Sequence, residues 1–334
     1  MPRPIAVTMG EPAGIGGDIT LAAWASQTTE NLPTFFIIDS PDRLARLAAL
    51  LRLDVPIRAI DEPDEAEQVF ADALPVLPLG GAISAQPGKP EAADALQVIA
   101  AIDRAVGLCR DGRCAAMVTN PINKKQLYDA GFSAPGHTEY LEQQFDGHKT
   151  AMLLEIDGLR VVPATIHVAL RRVPDLLTEA GLVEVGALVL AALARDFGCP
   201  EPKLAVAGLN PHAGESGALG DEEVRIIAPA VARLRAAGHA VDGPISADTL
   251  FHEVMRRRYD AILCMYHDQA LIPLKTLDFE SGVNITIGLP IVRTSPDHGT
   301  AFRLAGTGTA SPRSFIRAVH AASRIAQARR ATDG

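Results

Sequence analysis

The stretch AILCMYHDQALIPLK, residues 261 to 275, decides the fold class because a short apolar run passes directly into a polar cluster that begins at His267. The same event recurs in VVPATIHVAL, residues 161 to 170, and in LAVAGLNPHAGESG, residues 204 to 217. Polar clusters that follow successive apolar strands are typical of an open parallel sheet, in which ligands bind outside the carboxyl ends of the strands. We therefore expect these three segments to approach one another in the fold.

Short β-branched runs alternate with helical patterns along the whole chain, which predicts an α/β protein with a mostly parallel sheet and crossover helices. The predicted strands are residues 5–9, 34–39, 115–119, 151–156, 159–166, 203–209, 261–266 and 283–287. The predicted helices are residues 18–26, 42–53, 91–109, 182–197, 221–237, 247–258 and 311–327. A chain of 334 residues exceeds one ordinary core, so we expect about two domains.

The composition excludes several classes of protein. A formal charge of −9 argues against a nucleic-acid-binding protein, because binding to phosphate backbones requires a basic face. No apolar stretch has the length of a membrane span or of a signal peptide, so we predict a soluble cytoplasmic protein with no membrane partner. Four cysteines without regular spacing are expected to be reduced.

Each of the three apolar segments carries a histidine after its strand, namely His167, His212 and His267. Neutral imidazoles are common ligands of divalent transition metals, and three protein ligands leave coordination positions open for substrate. A single histidine of this kind is more often a hydrogen-bonding residue than a ligand, but three at equivalent strand ends favour a metal site. In GLNPHAGESG, Glu215 is a candidate carboxylate for orienting a ligand.

Two other clusters have the character of anion sites. TNPINKKQL, residues 119 to 127, carries Lys124 and Lys125 after a predicted strand, and PGHTEYL carries His137 and Thr138 at a predicted helix start. Free N–H groups at a helix N-terminus attract phosphate or carboxylate. The lysines have a second interpretation, as solvated surface charges of a helix.

Three further polar residues follow the His267 strand at equal spacing in a region that reads as strand-like: Lys275, Asn284 and Arg293. Arginine can bind an oxyanion through a fork of two N–H groups, and lysine supplies a point charge. Together they predict a clamp for an anionic substrate, although each could be an isolated surface group.

Six motifs together resemble the 4-hydroxythreonine-4-phosphate dehydrogenases, a family of pyridoxal phosphate biosynthesis. They are GEPAGIGGDITL, TNPINK, PGHTEYL, GLNPHAGESGALGDEE, MYHDQALIPLK and NITIGLPIVRTSPDHGTAF. The resemblance implies the isocitrate/isopropylmalate dehydrogenase-like fold, with two α/β/α domains, a cleft between them and an active site completed by the second subunit of a homodimer. We place a cofactor-side domain at residues 1–130 plus 280–334 and a metal-binding, dimer-forming domain at residues 131–279.

The resemblance also assigns roles to individual positions. It places the metal ligands on His167, His212 and His267, and the substrate contacts on His137, Thr138, Lys275, Asn284 and Arg293. The loop SPDHGTAFRLAGTGTASP is similar to the adenosine-binding loop of the decarboxylating dehydrogenases, which suggests His298 and Gly299 for NAD or NADP. Gly14, Gly16 and Gly17 are similar to a glycine turn of the broader superfamily, with capping of a helix as the alternative.

The implied reaction is metal-dependent oxidation of the C3 hydroxyl of 4-phosphonooxy-L-threonine by NAD(P)+, with one zinc, magnesium or cobalt ion per site. Asp268, Asp248 and Lys275 are the catalytic candidates. For the two aspartates, proton transfer and a capping or ligand-orienting role both stay open. The alternatives are a dehydrogenase of threonate or erythronate 4-phosphate or of a carboxylated dihydrodiol, a phosphate acyltransferase, and a non-catalytic binding protein.

Overall fold

The computed structural model describes residues 3 to 132, 134 and 136 to 333, which form two compact units. The first unit comprises Met1–His148 and Leu289–Gln327, and the second comprises Lys149–Gly288 and Ala328–Gly334. Strands are numbered β1 to β12 and helices α1 to α13 in chain order.

The first unit contains a parallel sheet. Its strands are β1 Ile5–Thr8, β2 Phe35–Asp39, β3 Ile57–Ala59, β4 Leu74–Pro78, β5 Ala116–Thr119 and β12 Arg293–Pro296. Its helices are α1 Gly16–Ala25, α2 Pro41–Leu51, α3 Ala66–Val69, α4 Ala95–Arg110, α5 Lys124–Asp129, α6 His137–Gln144 and most of α13 Arg313–Asp333. The strands pair in the order β3-β4-β2-β1-β5-β12, with every pair parallel.

The second unit contains a mixed sheet. Its strands are β6 Ala151–Ile156, β7 Leu159–Pro163, β8 Lys203–Ala207, β9 Ala240–Ile245, β10 Ala261–Cys264 and β11 Val283–Ile287. Its helices are α7 Val173–Leu176, α8 Glu179–Phe197, α9 Ala228–Ala236, α10 Ala247–Leu250, α11 Glu253–Arg256 and α12 His267–Leu277. The order is β11-β6-β7-β10-β8-β9, in which β6 runs antiparallel to both of its neighbours and the other pairs are parallel.

Local sequence explains where the main helices begin and end. The Ser40 hydroxyl accepts a hydrogen bond from the Arg43 N–H at 3.3 Å, and Pro41 occupies the first turn of α2. Thr178 caps α8 in the same way, and Gly198 ends that helix in a left-handed conformation with a φ of 66°. Capping residues therefore set both ends of α8, whose buried side covers its sheet.

The cores consist mainly of aliphatic side chains, as a chain with 4% aromatic residues requires. In the first unit, α4 packs its buried positions on the strands. In the second unit, apolar residues of β6, β7, β8 and β10 pack with Ala270 and Leu274 of α12. Burying an aliphatic side chain contributes about 1.5–3 kcal/mol, so these faces hold the strands in place. Cys114 and Cys264 are buried as free thiols.

The predicted α/β class and mostly parallel pairing are confirmed, but several predicted elements differ from the structure. The predicted helix 247–258 is two short helices, α10 and α11, and the strand-like region after His267 begins with helix α12. Four strands were absent from the prediction: β3, β4, β9 and β12. They are short or rich in Pro, Gly and Asp, which weakens strand signals.

Within the part of the chain that the structure describes, no single helix has the length and apolar character needed to cross a membrane. The segments Leu170–Leu176 and Glu179–Phe197 reach that criterion only when they are counted together, and they are bent by 93° to each other.

Candidate active site

His167 and His267 lie side by side at the carboxyl ends of neighbouring strands. His167 follows β7 and His267 follows β10, and these two strands pair in parallel. The centroids of the two imidazole rings are 5.8 Å apart. Both rings line a pocket of about 240 Å³, together with Tyr266 and Asp268. The strand-end arrangement expected from the sequence therefore holds for this pair.

Asp268 lies next to His267 and contacts its ring directly. The Nδ1 atom of His267 is 2.7 Å from Oδ1 of Asp268. A carboxylate at Nδ1 favours the tautomer in which Nδ1 carries the proton, and the Nε2 lone pair is then available to a ligand. This contact favours the ligand-orienting role for Asp268.

His212 lies in a segment with an unusual backbone. Residues 212 to 216 all have left-handed conformations, with φ values between 43° and 75°. A run of such conformations among non-glycine residues costs free energy, so surrounding contacts must hold it. No local sequence pattern predicts this backbone geometry, because histidine, alanine, glutamate and serine do not prefer it.

Glu223 anchors the start of the loop that carries His212. Its buried carboxylate accepts hydrogen bonds from the N–H groups of Leu209 and Asn210, both at 2.7 Å, and from Asn210 Nδ2 at 2.9 Å. A Cβ atom on Gly214 would lie 2.6 Å from the same carboxylate, so only glycine fits there. Glu215, the carboxylate singled out from the sequence, is exposed. Sequence reasoning missed Glu223, although GDEE directly follows the loop.

The donor set fits part of a metal site within one chain. His167 and His267 are adjacent imidazoles, and Asp268 orients one of them. Among residues 3 to 132, 134 and 136 to 333, however, no three His, Cys, Asp or Glu side chains are grouped closely enough to hold a metal ion. The structure therefore brings His167 and His267 together, and no third donor among the described residues completes a metal-binding group with them.

Asp248 begins a short helix near the His212 loop. The Ser246 hydroxyl lies 2.5 Å from the Asp248 carboxylate, and this hydrogen bond, with a smaller effect of His212, lowers the pKa of Asp248. The carboxylate is fully exposed. It is therefore an ionised group at neutral pH and a weak proton acceptor.

Lys275 and Asn284 occupy separate elements of the second unit. Lys275 lies eight residues after His267 on α12, about 12 Å along the helix, and its Nζ is 5.4 Å from the centre of the Phe279 ring. Asn284 lies on β11, and its buried Oδ1 has no hydrogen-bond partner among the described residues. The unsatisfied oxygen is a candidate ligand contact, because buried polar atoms normally have partners.

The predicted anion site of the first unit centres on His137 and Arg293. His137 and Thr138 begin α6, and Arg293 begins β12. Burial, followed by the positive charges of Arg293 and Lys124, lowers the pKa of His137 well below its ordinary value. The buried Nε2 of His137 has no hydrogen-bond partner in the described part of the chain. A neutral imidazole with one unused ring nitrogen thus lies near two cations.

Arg293 is buried in the sheet and is positioned by Thr119. Its guanidinium donates two hydrogen bonds to the Thr119 hydroxyl, at 2.6 and 3.1 Å. Burial lowers the pKa of Arg293 to about 10, and Glu139 opposes the effect. Arg293 therefore remains charged at neutral pH, and little solvent competes for it. These are the conditions under which a guanidinium binds phosphate or carboxylate strongly.

Asn120, which belongs to the TNPINKKQL motif of Lys124 and Lys125, lies in the core. It is buried, and its Nδ2 donates to the Thr8 carbonyl and the Thr20 hydroxyl, both at 3.0 Å. It therefore connects β5 to β1 and α1. Lys124 and Lys125 are exposed at the start of α5, and the charge of Lys124 reaches His137.

The glycine turn is closely packed by the chain itself. A Cβ atom on Gly14 would lie 2.9 Å from the Thr300 carbonyl, and one on Gly16 would lie 2.9 Å from the Met9 carbonyl. The Ile15 N–H also donates to Thr300 at 3.0 Å. These glycines are needed for close approach of two backbone segments. They form no open phosphate cradle.

The two residues predicted for the nicotinamide cofactor lie just before Thr300. His298 Nδ1 is 3.1 Å from the Gly299 carbonyl, and Gly299 is exposed, with no atom within 4 Å of an added Cβ. The site offers space next to the packed glycine turn. Its residues are compatible with a cofactor at the surface of this unit.

Comparison with known proteins supports one family. Residues 31–322 match the family model "Pyridoxal phosphate biosynthetic protein PdxA". The chain is 51% identical over 332 residues to the 4-hydroxythreonine-4-phosphate dehydrogenase of Methylorubrum populi, covering 97% of this chain and 95% of that protein. It is 49% identical to the enzyme of that name from Caulobacter vibrioides, with 98% of each chain covered.

A solved structure agrees with the sequence comparisons. The crystal structure of 4-hydroxythreonine-4-phosphate dehydrogenase from Klebsiella pneumoniae is 41% identical, with a TM-score of 0.86, and the alignment covers 97% of this chain and all of that one. The chain therefore belongs to the PdxA family of pyridoxal phosphate biosynthetic proteins, which includes the 4-hydroxythreonine-4-phosphate dehydrogenases, and is an oxidoreductase.

Proposed function

We propose that this protein oxidises 4-phosphonooxy-L-threonine at the C3 hydroxyl, with NAD+ or NADP+ as hydride acceptor. The product, 2-amino-3-oxo-4-phosphonooxybutanoate, is a β-keto acid that loses CO2 to give 3-amino-2-oxopropyl phosphate. The reaction belongs to pyridoxal phosphate biosynthesis, and we place it in the cytoplasm. The observation that carries the proposal is the pair of adjacent imidazoles, His167 and His267, in one pocket of a chain about half identical to named dehydrogenases.

His167 and His267 would hold a divalent zinc, magnesium or cobalt ion, with His212 of a second copy as the third ligand. We assign His212 to a second copy because the described part of one chain groups no third donor with the pair. Large exposed apolar side chains on the same unit support a homodimer interface there, including Leu170, Ile272 and Phe279. The ion supplies positive charge that lowers the pKa of a nearby alcohol.

The anionic groups of the substrate would bind to His137, Thr138 and Arg293, with Lys124 adding positive charge. Arg293 is charged and buried, so it can bind an oxyanion through paired N–H groups. His137 stays neutral and can offer a hydrogen bond from its unused Nε2. The substrate would satisfy this atom, which has no hydrogen-bond partner among the described residues.

Residues around the imidazole pair would orient the ligands and accept the proton of the substrate hydroxyl. Asp268 orients His267, and this contact occupies one of its carboxylate oxygens. Asp248 is ionised but weakly basic, so it can accept the hydroxyl proton only after nearby positive charge has acidified the alcohol. Lys275 and Asn284 would contact the substrate from α12 and β11. His298 and Gly299 would contact the adenosine part of the cofactor.

The proposal is tested by comparing substrates. The purified protein is given 4-phosphonooxy-L-threonine, threonate 4-phosphate, erythronate 4-phosphate or a carboxylated dihydrodiol, each with NAD+ and with NADP+, and reduced nicotinamide is followed by absorbance. We expect the highest kcat/KM with 4-phosphonooxy-L-threonine. A higher kcat/KM with a sugar acid would assign the chain to a related dehydrogenase, and transfer of an acetyl group between acetyl phosphate and coenzyme A would indicate an acyltransferase.

A further inference from the structure

Gln269 is a buried polar residue in the middle of the polar cluster that follows β10. Only 8% of its surface is exposed, whereas its neighbour Asp268 is exposed. Its Oε1 accepts the Met265 N–H at 2.7 Å, and its Nε2 donates to the Gly208 carbonyl at 2.7 Å. Both polar atoms of the amide therefore bind a backbone group, and those groups belong to the ends of two different strands.

The two bonds of Gln269 belong to a row of hydrogen bonds across four strand ends. The Thr165 hydroxyl after β7 donates to the Met265 carbonyl at 2.8 Å. The Gly208 N–H after β8 donates to the Ile245 carbonyl at the end of β9, also at 2.8 Å. The residues that follow these ends are the candidate site residues His167, His267, His212 and Asp248.

We propose that Gln269 is a positioning residue. It fixes the segment after β10, which carries His267, relative to the segment after β8, which carries His212, and metal affinity depends on it. The inference rests on the proposed function, because it takes these histidines as ligands. The inference holds whether His212 of the same copy or of a second copy completes a given metal site. Each chain contains both the segment after β10 and the segment after β8, so Gln269 positions both histidines in every copy.

The chemistry of the position explains why an amide occupies it. One backbone N–H needs an acceptor, and one backbone carbonyl needs a donor, so an amide satisfies both at once. A glutamate could serve the Met265 N–H but would place a carboxylate against the Gly208 carbonyl. An apolar side chain would leave both groups unsatisfied in a buried place. In each case the segments after β10 and β8 lose the side chain that joins them.

The test measures binding of Co2+ to the full-length protein without substrate. Titrations by calorimetry and by visible absorption compare wild type with Gln269→Glu and with Gln269→Met, which keeps the side-chain volume. We expect the Kd for Co2+ to rise about 10- to 100-fold, as for other changes around metal ligands, and the absorption bands of the bound ion to change. Rates with substrate would show a fall in kcat at saturating Co2+.

Thr294→Val is the matched control, because it removes one buried hydrogen bond, to the Ala318 carbonyl at 2.8 Å, in the other unit. It should lose thermal stability yet bind Co2+ as wild type does.

Gln269 variants with wild-type Kd and absorption bands would overturn the inference. A wild-type protein that binds no Co2+ would instead contradict the proposed metal site, so the two failures are distinguishable. If neither Gln269 variant folds, Thr165→Val tests the adjacent bond of the same row with the same readout, and an unchanged Kd would again overturn the inference.

Discussion

At the scale of single residues, the clearest signs of function are buried polar atoms that the fold leaves without partners. His137 Nε2 and Asn284 Oδ1 are two such atoms in the described part of the chain, and both belong to predicted substrate contacts. Leaving a buried polar atom unsatisfied costs about 1–3 kcal/mol. Such a cost is understandable where a ligand supplies the missing hydrogen bond.

Arg293→Gln should weaken substrate binding and change the ionisation of His137. Hydrogen bonds to charged groups contribute about 1.5–3 kcal/mol, so we expect KM to rise roughly 10- to 100-fold. Because the charge of Arg293 also helps to lower the pKa of His137, that pKa should rise in the variant. Steady-state kinetics and NMR titration of the imidazole would measure both effects. Arg46→Gln, an exposed change on α2, serves as the control. An unchanged KM would remove Arg293 from the substrate site.

Asp268→Asn should weaken metal binding without removing a ligand. The amide cannot hold the Nδ1 proton of His267 as a carboxylate does, so we expect about tenfold lower Co2+ affinity, measured by calorimetric titration. Asp221→Asn removes an exposed carboxylate of the same unit, 2.7 Å from Arg225, and should bind Co2+ as wild type does. Equal affinities in all three proteins would show that the contact between Asp268 and His267 does not serve the metal.

At the scale of secondary-structure elements, the strand ends were predictable and the loops beyond them were not. Apolar runs of β-branched residues predicted β7, β8 and β10, and the bounds of β6 and β11 agree with the prediction. The left-handed segment 212–216 follows Leu209 and Asn210, whose N–H groups bind Glu223, and no local sequence pattern indicates that distant contact. Helix α12 was missed because Pro273 interrupts its helical signal.

Glu223→Gln should loosen the His212 loop. Its carboxylate accepts three hydrogen bonds in a buried place, and an amide would set a donor against the Asn210 amide. We expect a loss of about 2–3 kcal/mol in the free energy of unfolding and faster hydrogen exchange at the Leu209 and Asn210 amides. Glu222→Gln is a close control, because the Glu222 carboxylate accepts a hydrogen bond from the Asn210 side chain of this loop. Unchanged exchange in Glu223→Gln would show that other contacts hold the loop.

At the scale of the whole molecule, the α/β class and the family follow from the sequence, while the completeness of the site does not. Histidines at three strand ends predicted a single metal site, and the structure places His167 beside His267, with no third donor grouped with them among the described residues. Sequence spacing reports which strand end a residue follows, but it does not report the distances between loops. Nor does it report whether a second chain contributes to the site.

The C-terminal segment is tied to the second unit by a buried ion pair. Helix α13 was predicted to end at Gln327 but continues to Asp333. In this extra length, Arg329 donates two hydrogen bonds to the Asp196 carboxylate, at 2.8 and 3.0 Å. Burial alone would raise the pKa of Asp196, but hydrogen bonds from Arg195 and Arg329 lower it below its ordinary value.

Arg329→Met should destabilise the protein, most visibly in acid. Because the folded pKa of Asp196 is lowered, its stabilising effect is present above the ordinary aspartate pKa and is lost as pH falls through the folded value. Without Arg329 the folded pKa rises, so the loss begins at higher pH. We expect about 3 kcal/mol less stability at neutral pH and an acid-unfolding midpoint at higher pH, followed by circular dichroism. Arg330→Met is the neighbouring control. Identical acid-unfolding curves for Arg329→Met and wild type would rule out this role.

The central claim is that the histidines after β7, β8 and β10 form a metal site on which the dehydrogenase reaction depends. Turnover of 4-phosphonooxy-L-threonine by the wild-type protein, measured before chelation, after chelation and after metal is added back, tests it most directly. We predict that chelation abolishes turnover, that zinc, cobalt or magnesium restores it, and that His212→Ala is not restored although its oligomeric state is that of wild type. A rate that chelation leaves unchanged, or a fully active His212→Ala, would contradict the claim.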